Sequence, residues 1–183
     1  MSQNYSKVPI SQWVQGASLR NVSVSSAQQV SALDSVKGGL IVSCQVPDGT
    51  AIDTPAFIAA QALTVIQAGA VGIRAQGISN VAAISKVTDK PILGLVKRYV
   101  DTTPIYITPS VQDVLELEAA GATIIAIDAT ERLRTGGVTL EKFLTQVRAE
   151  TNIPILADVD TLEAAIVAEA LGCEAVATLG PLS

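Results

Sequence analysis

The chain contains five short apolar runs that each end in a polar or charged residue. Aliphatic, often β-branched runs of this length are typical of strands that are buried on both faces of a parallel sheet. Parallel strands place their carboxyl ends at one edge of the sheet. The five polar ends should therefore converge on one rim, which is where β/α folds bind ligands. The runs are Ile41–Gln45, Val71–Arg74, Ile92–Lys97, Ile124–Asp128 and Ile155–Asp158.

Signals for helix starts and ends lie between these runs. A threonine precedes each of four predicted helices, and a hydroxyl at this position caps a helix. Two of the threonines are followed by proline, which is favoured at the first helical position. Three helices are predicted to end at a glycine, which can take the left-handed conformation that closes a helix. The threonines are Thr54, Thr108, Thr139 and Thr161, and the glycines are Gly69, Gly121 and Gly172.

The alternation of strands and helices predicts an α/β fold with both faces of the sheet covered. An open Rossmann-type sheet is less favoured, because no Gly-x-Gly-x-x-Gly turn follows the first strand. The regular repeat favours the (β/α)8 TIM-barrel family. That barrel closes with eight strands, and with about six β/α units in this chain we expect an incomplete barrel. The predicted strands are 39–45, 70–75, 91–97, 122–128, 154–159 and 174–179.

The first part of the chain differs in composition from the remainder. Nine of the first 36 residues are serine, with glutamine and asparagine between them. Such a composition without hydrophobic periodicity is typical of weakly ordered segments. We therefore predict a weakly ordered extension at residues 1–34 and a (β/α)-barrel domain at residues 35–183 that lacks strands seven and eight.

The composition excludes several classes of function. The chain has no histidine, which removes Ser/His/Asp hydrolysis and most zinc catalysis. The net charge is −5 and the basic residues are scattered, so the sequence offers no basic patch for nucleic acid. The uncharged stretch at residues 54–73 contains Pro55, Gly69 and a polar stripe, and we interpret it as a helix followed by a strand and not as a membrane span.

The location is predicted from what the N-terminal residues lack and from the cysteines. The first thirty residues contain no apolar signal-peptide core. Cys44 and Cys173 stand alone in or beside predicted strands. Isolated buried thiols are typical of a reducing compartment, so we predict a cytoplasmic protein with chemically inert cysteines.

Lys97 is the strongest catalytic candidate. A lysine that ends a buried strand is expected to be partly desolvated, which favours the neutral amine. A neutral amine can transfer a proton or form a Schiff base with a carbonyl substrate. The alternative is a surface lysine that reaches solvent from the strand end.

The other strand ends carry groups suited to a polar substrate. Arg74 offers planar donors for a phosphate, a carboxylate or a developing enolate, and the alternative is an ion pair with Asp128 or Asp158. Ser43 and Gln45 alternate along the first strand and should point to the same side. The two carboxylates could orient sugar hydroxyls, move protons or bind a metal. With lysine and arginine nearby and no histidine, chemistry without a metal or cofactor is favoured.

Six segments around these residues occur in a fixed order: Lys37–Gln45, Gly69–Ala75, Pro91–Arg98, Tyr106–Pro109, Ile125–Thr130 and Leu156–Thr161. In order and spacing they closely resemble the N-acetylmannosamine-6-phosphate 2-epimerase family. The resemblance extends from about Leu33 to Thr178. It implies a (β/α)8 barrel and the interconversion of N-acetylmannosamine 6-phosphate and N-acetylglucosamine 6-phosphate, in sialic acid and amino-sugar catabolism.

The resemblance also implies roles for individual residues. Lys97 matches the lysine that removes and returns the C2 proton. The implied ligand is a small amino-sugar phosphate, with no cofactor, metal, membrane or nucleic acid, and a homo-oligomer is left open. The candidate substrate-binding residues are Gln45, Arg74, Asp158, Asp128, Ser43 and Tyr106.

The chain departs from the family pattern after Thr178 and ends in Leu179-Gly-Pro-Leu-Ser183. We therefore expect a chain truncated after the sixth strand. Such a chain lacks the family's catalytic glutamate on strand seven and the phosphate-binding loops after strands seven and eight. The alternatives are a non-catalytic remnant of the epimerase and a different phosphosugar barrel enzyme, such as a Schiff-base aldolase.

Overall fold

The six predicted strands are all present, and they form one parallel sheet. The computed structural model describes residues 32–99 and 102–178. Within these residues the strands lie in chain order, each parallel to the next. The strands are β1 (Ile41–Cys44), β2 (Gly72–Gln76), β3 (Ile92–Leu95), β4 (Ile124–Asp128), β5 (Ile155–Val159) and β6 (Ala175–Thr178).

A helix follows each of the first five strands. This alternation confirms the predicted α/β class, and the sequential parallel order is that of a (β/α) barrel. The helices are α1 (Pro55–Gln67), α2 (Ile78–Ser85), α3 (Val111–Ala119), α4 (Leu140–Glu150) and α5 (Leu162–Ala170).

Side chains alternate between the two faces of the sheet, and each face has its own apolar core. On the outer face, strand residues such as Ile73 and Ile125 pack with the helices in the larger core. On the inner face, Leu93, Leu95 and Ile124 belong to a smaller cluster. The inner cluster precedes the carboxyl ends of the strands, so it forms an apolar base beneath the rim where the polar residues lie.

Three of the four predicted threonine caps are confirmed. Each accepts a hydrogen bond on its side-chain oxygen from the backbone N–H three residues later. The first of these helices also has proline at its N-terminal end, as the sequence predicted. The confirmed caps are Thr54, Thr139 and Thr161.

The prediction that Thr108 caps the third helix is wrong. Helix α3 begins at Val111, and its N-cap is Ser110. Thr108 takes a positive φ of 44°, and its hydroxyl accepts a hydrogen bond of 3.3 Å from the backbone N–H of Val96. Thr108 therefore serves to join its loop to the end of β3, and the helix starts two residues after the position that the Thr-Pro pair indicated.

The predicted closing glycines all take positive φ: 106° at Gly69, 103° at Gly121 and 87° at Gly172. At Gly121 a side chain would also collide with its surroundings. An added Cβ would lie 2.6 Å from the Cβ of Ser85 at the end of α2. The hydroxyl of Ser85 donates a hydrogen bond of 3.0 Å to the carbonyl of Ala120. The ends of α2 and α3 thus approach closely because this position is glycine.

A helical segment at residues 32–36 precedes β1. Ala32 is buried, and Leu33 and Val36 pack against the inner cluster. A side chain at Gly72 would meet Val36 at 3.1 Å, so the segment fits against the inner face of β2. The extension predicted at residues 1–34 overlaps this segment at its end, and residues 1–31 lie outside the described residues.

The stretch at residues 54–73 folds as α1 followed by the start of β2, as predicted. Across the described ranges, none of the helices has the length and apolar character needed to cross a membrane. Both Cys44 and Cys173 are buried free thiols. Burial raises the pKa of Cys44 and raises that of Cys173 to about 11, so neither sulfur is held as the reactive thiolate.

Candidate functional site at the carboxyl ends of the strands

Four of the predicted site residues lie on the inner face of the sheet. Strand register pairs Ser43 with Arg74 and Asp128 with Asp158. Leu93 of β3 pairs in register with both Arg74 and Ile124, so Arg74 lies on the same face of the sheet as Ile124. Alternate residues of a strand point to the same side, so Ile124 shares its face with Asp128. The structure therefore brings these polar residues to one face, near the carboxyl ends of their strands.

Arg74 and Asp158 form a bidentate ion pair. Nη1 and Nη2 of Arg74 donate to Oδ1 and Oδ2 of Asp158 at 3.2 and 2.6 Å. Neighbouring strands lie ~4.8 Å apart, so β2 and β5 would be ~14 Å apart in a flat sheet. The ion pair joins them directly, which requires the sheet to curl around its inner face. The ion pair with Asp158, which the sequence analysis gave as the alternative to ligand binding by Arg74, is thus present. It fixes the plane of the Arg74 guanidinium.

Asp158 is held in a buried environment with its side chain 1% exposed. Burial raises the pKa of its carboxyl above the ordinary value, although the hydrogen bonds and the charge of Arg74 act in the opposite direction. The charge of Asp128 adds to the upward shift. Arg74 therefore stabilises the carboxylate form of Asp158, and the low-dielectric surroundings destabilise it.

Asp128, which is 2% exposed, is engaged by the loop that follows β4. Its Oδ1 accepts hydrogen bonds from the backbone N–H of Thr130 at 3.0 Å and from the Thr130 hydroxyl at 2.7 Å. One carboxylate oxygen thus organises the local loop. The sequence placed Asp128 at the rim but gave no indication of this bond to Thr130.

A returning segment of the β3–α3 loop separates Lys97 from Asp128. The backbone N–H of Arg98 donates to the carbonyl of Tyr106 at 2.8 Å, and the N–H of Asp128 donates to the carbonyl of Ile107 at 3.0 Å. Lys97 itself pairs with Ile107 in an antiparallel bridge. The loop therefore lies between the ends of β3 and β4, and Lys97 is not adjacent to the two carboxylates as the strand order alone suggested.

Lys97 is exposed. Strand β3 ends at Leu95, so Lys97 stands beyond the strands and is not enclosed among them. The partial desolvation expected from the sequence is therefore not found. Its position is nevertheless on the rim that carries Asp128 and Asp158, because all three lie at or just beyond the carboxyl ends of parallel strands.

Ser43 and Gln45 point to the same side, as their alternation predicted. The side-chain amide of Gln45 donates a hydrogen bond of 2.8 Å to the hydroxyl of Ser43. Ser43 is exposed and Gln45 is half-buried. Together they place an amide carbonyl and a hydroxyl at the end of β1, beside the strand that carries Arg74.

Tyr106 lies half-buried in the returning loop segment. Its ring stacks on that of Tyr99, with ring centroids 5.1 Å apart and an angle of 9° between the planes. Tyr99 follows Lys97 by two residues and is exposed. The stacked pair thus forms an aromatic surface close to Lys97, and sequence reasoning had not paired the two tyrosines.

Arg134 is a buried cation that the sequence did not single out. It is 3% exposed, and its Nη2 donates to the backbone carbonyl of Asp128. Its guanidinium lies 4.1 Å over the ring of Phe143, in a cation–π contact. Its Nε and Nη1 have no hydrogen-bond partner among the residues that the structure describes. Burial lowers the pKa of Arg134 to about 10, with Asp128 and Cys173 acting in the opposite direction.

The rim therefore offers a fixed guanidinium, two carboxylates, an amide with a hydroxyl, and an exposed amine. Donors and acceptors in this mixture suit a ligand with several hydroxyl or anionic oxygens. Within residues 32–99 and 102–178, no group of three or more His, Cys, Asp or Glu side chains is placed to hold a metal ion.

Comparison with known proteins agrees with the fold and the motifs. A family profile described as "Putative N-acetylmannosamine-6-phosphate epimerase" matches residues 58–180. A protein of Clostridioides difficile (strain 630) named "Putative N-acetylmannosamine-6-phosphate 2-epimerase" is 38% identical over 146 residues, which cover 80% of this chain and 65% of that protein. A protein of the same name from Clostridium perfringens (strain SM101 / Type A) is 40% identical, with 80% and 66% covered.

A solved structure of the N-acetylmannosamine-6-phosphate 2-epimerase from Clostridium perfringens superposes with a TM-score of 0.74 at 39% identity. The superposition covers 79% of this chain and 62% of that chain. This chain thus spans 65% and 66% of the length of the two curated relatives. The profile match extends over more than half of the residues, and the predicted resemblance is confirmed: the chain belongs to the N-acetylmannosamine-6-phosphate epimerase family.

Proposed function

We propose that the protein acts on N-acetylmannosamine 6-phosphate and converts it to N-acetylglucosamine 6-phosphate by inverting the configuration at C2. The observation that carries this proposal is that Arg74, Asp128 and Asp158 lie on one face of the family's fold, at the rim where Lys97 follows β3. The names of the relatives supply the substrate class.

Lys97 is the residue proposed to move the proton. In the open-chain sugar, C2 lies next to the C1 aldehyde. The Lys97 amine takes the C2 proton, and the electron pair of the broken C–H bond is delocalised onto the aldehyde oxygen as an enolate. Return of the proton to the opposite face of C2 gives the epimer, and the amine is restored.

Arg74 and Asp158 are proposed to act together. Donors that are fixed in advance stabilise developing negative charge best, because they need no reorganisation during the reaction. The two hydrogen bonds that Arg74 donates to Asp158 hold its guanidinium in one orientation. Arg74 would then bind an anionic oxygen of the substrate, with Gln45 and Ser43 as partners for its hydroxyl or acetamido groups.

The remaining assignments concern the other carboxylate and the biological setting. Asp128 and Tyr106 are proposed substrate-binding residues, as the family motifs imply. The activity belongs to amino-sugar catabolism, including sialic acid breakdown, in the cytoplasm. A non-catalytic role is the second candidate, and the exposure of Lys97 favours it, because an amine in open solvent is not held against the reacting carbon.

Exchange of the C2 proton in D₂O tests the proposed role of Lys97. The purified chain is incubated with N-acetylglucosamine 6-phosphate, and loss of the C2 proton signal is followed by NMR. Lys97→Ala should abolish exchange. Lys90→Ala is the matched control, because Lys90 is an exposed lysine at the other end of the same strand, and exchange should persist in it.

Two outcomes would contradict the proposal. Equal rates of C2 proton exchange in the parent and in Lys97→Ala would show that Lys97 does not transfer the proton. No exchange in either protein would support the non-catalytic role. Borohydride added with the substrate distinguishes a Schiff-base aldolase, because only an imine leaves a reduced covalent adduct on Lys97.

A further inference from the structure

Strand β2 carries a second polar residue on the inner face of the sheet, beyond Arg74. The sequence predicted that this strand ends at residue 75, but β2 continues to Gln76. Gln76 pairs in register with Leu95, and Arg74 pairs with Leu93. Both leucines belong to the inner cluster. Gln76 therefore lies on the same face as Arg74, two residues nearer the carboxyl rim.

The side chain of Gln76 contacts the loop that follows β1. Its Nε2 donates a hydrogen bond of 3.2 Å to Oδ1 of Asp48. Asp48 is exposed, and Gln76 is half-buried. The turn that carries Asp48 is held by a hydrogen bond of 2.9 Å from the backbone N–H of Gly49 to Oδ2 of Asp53. The loop thus holds the Asp48 carboxylate beside Gln76 at the end of β2.

The backbone of Gln76 is fixed on both sides. Its carbonyl accepts a hydrogen bond of 2.9 Å from the side-chain amide of Asn80, and the N–H of Gly77 donates to the carbonyl of Leu95 at 2.8 Å. An amide offers two N–H donors and a carbonyl acceptor, and a carboxylate accepts at both oxygens. The single bond between Gln76 and Asp48 therefore uses only part of what the two groups can bind.

An amide beside a carboxylate suits a sugar hydroxyl. A hydroxyl can donate to the carboxylate of Asp48 while it accepts from an N–H of Gln76. A phosphate is disfavoured at the same place, because the negative charge of Asp48 would repel it. The pair therefore complements Arg74, whose positive charge suits an anionic oxygen.

The place of Gln76 in the sheet indicates which hydroxyl groups it can reach. Strand β2 lies directly beside β3, and neighbouring strands are ~4.8 Å apart. In the proposed reaction C2 faces Lys97 beyond β3, and the oxygen on C1 carries the charge that Arg74 would stabilise. The next carbons along the sugar are C3 and C4, and each carries a hydroxyl.

We propose that Gln76 and Asp48 bind the C3 and C4 hydroxyl groups of the amino-sugar phosphate and form a specificity site on the rim. The proposal rests on the proposed function, because the ligand is the substrate named there. It does not depend on catalysis, since the two residues contact the sugar away from the carbon that reacts.

Calorimetry on the purified chain compares binding of N-acetylglucosamine 6-phosphate with binding of its 3,4-dideoxy analogue. Gln76→Ala should weaken binding of the complete sugar about tenfold. It should change binding of the analogue by less than about twofold, because the groups that Gln76 contacts are missing. Gln112→Ala is the matched control. Gln112 donates a similar amide bond of 2.8 Å to the carboxylate of Glu116 on exposed α3, and its loss should change neither affinity.

Asp48→Asn provides a second test that does not depend on the folding of Gln76→Ala. It keeps the shape of the exposed side chain and removes the charge that strengthens the bond from the hydroxyl. It should weaken binding of the complete sugar by about threefold or more and leave binding of the analogue nearly unchanged.

Unchanged binding of the complete sugar in both variants, or equal weakening for the two ligands, would overturn the proposal. Either result would mean that the bond between Gln76 and Asp48 only joins the loop to β2. Failure of the parent to bind the complete sugar would overturn the proposed function as well. Selective weakening in a chain that does not exchange the C2 proton would support the specificity site and contradict the proposed catalysis alone.

Discussion

At the scale of single residues, the Arg74–Asp158 pair combines two opposing effects. Burial disfavours the charged carboxylate, and the guanidinium restores part of the loss through two hydrogen bonds. Such a pair contributes less to folding than its geometry suggests, because desolvation offsets the attraction. The pair also fixes orientation, since the two bonds through Nη1 and Nη2 hold the plane of the Arg74 guanidinium relative to Asp158.

The raised pKa of Asp158 predicts a pH dependence of stability. Between the unfolded value of 3.8 and the higher folded value, the folded chain holds a proton that the unfolded chain has lost. The contribution of Asp158 is therefore greatest below the unfolded pKa and declines as pH rises through the folded pKa. Asp158→Asn removes this titration. The unfolding free energy of the parent relative to Asp158→Asn should decrease as pH rises from below 3.8 through the higher folded pKa.

Urea unfolding across that pH range measures the difference. Asp160→Asn is the matched control, because Asp160 lies two residues away on the chain and is paired with exposed Arg132. The difference in unfolding free energy between the parent and Asp160→Asn should not decrease with pH in this way. A parent that gains stability over Asp158→Asn as pH rises would mean that Arg74 outweighs burial.

Substitutions at Arg134 can separate the contribution of its buried charge to the free energy of unfolding from the contribution of its packing. Its guanidinium is buried with two nitrogens, Nε and Nη1, unpaired in the described structure, and it lies over the ring of Phe143. Arg134→Met keeps most of the packing and removes the buried charge, so the loss of one hydrogen bond should cost only about 1 kcal/mol of unfolding free energy. Arg134→Ala removes the packing as well and should cost about 2–4 kcal/mol.

Equilibrium unfolding in urea gives both values for Arg134. Arg132→Met is the control on an exposed pair and should change stability by less than about 0.5 kcal/mol. Equal costs for Arg134→Met and Arg134→Ala would show that the charge itself, and not the packing, holds the loop after β4.

Local alternation was sufficient to predict which residues share a face. Ser43, Arg74, Asp128 and Asp158 could be placed together from the two-residue period of strands and the parallel order. The exposure of Lys97 could not be predicted in the same way. It depends on where β3 ends, and the end of β3 is set by pairing with a loop that returns from further along the chain.

At the scale of elements, the β3–α3 connection departs most from its local signals. The Thr-Pro pair indicated a helix start at Thr108, but Thr108 bonds to Val96 at the end of β3, while the preceding Ile107 accepts a hydrogen bond from Asp128 of β4. The helix instead begins after Ser110, which forms a reciprocal capping box with Asp113. Asp113 also pairs with Arg98 at 2.5 Å, so one carboxylate links the helix start to the end of β3. Competition between these roles is a tertiary effect that a single motif cannot reveal.

Ser110→Ala tests this capping arrangement. The substitution removes the acceptor for the backbone N–H of Asp113 and the 2.6 Å bond from the serine hydroxyl to its carboxylate. The unfolding free energy should fall by about 1 kcal/mol. Ser79→Ala is the control, because Ser79 is exposed within α2, where alanine is the better helix former. A change of similar size in both variants would contradict a specific cap at Ser110.

At the scale of the whole molecule, the sequence predicted the sheet order and the number of strands. It did not indicate which outer faces are left exposed. The exposed face of α5 became visible only through burial, because apolar residues occur on both the packed side and the open side of the helix. The consequences for activity follow from the same open architecture.

Residues 1–183, when expressed alone, should exchange the C2 proton of N-acetylglucosamine 6-phosphate far more slowly than the Clostridium perfringens relative, even with Lys97 in place. Proton abstraction requires the open-chain sugar, and the resemblance assigns ring opening to a glutamate on a seventh strand. Loss of one acid–base group typically costs ~10²–10⁴ in rate. Lys97 is also exposed, so its amine is not held in place against the C2 proton.

Both effects act in the same direction, and weak positioning of the phosphate would add to them, because remote binding energy normally holds the reacting carbon against its base. The rates are compared by NMR in D₂O at equal enzyme concentration. Exchange in this chain should be at least about 100-fold slower than in the relative. Exchange at the rate of the relative, abolished by Lys97→Ala, would mean that six strands create a competent site and that the exposed Lys97 becomes enclosed when the substrate binds.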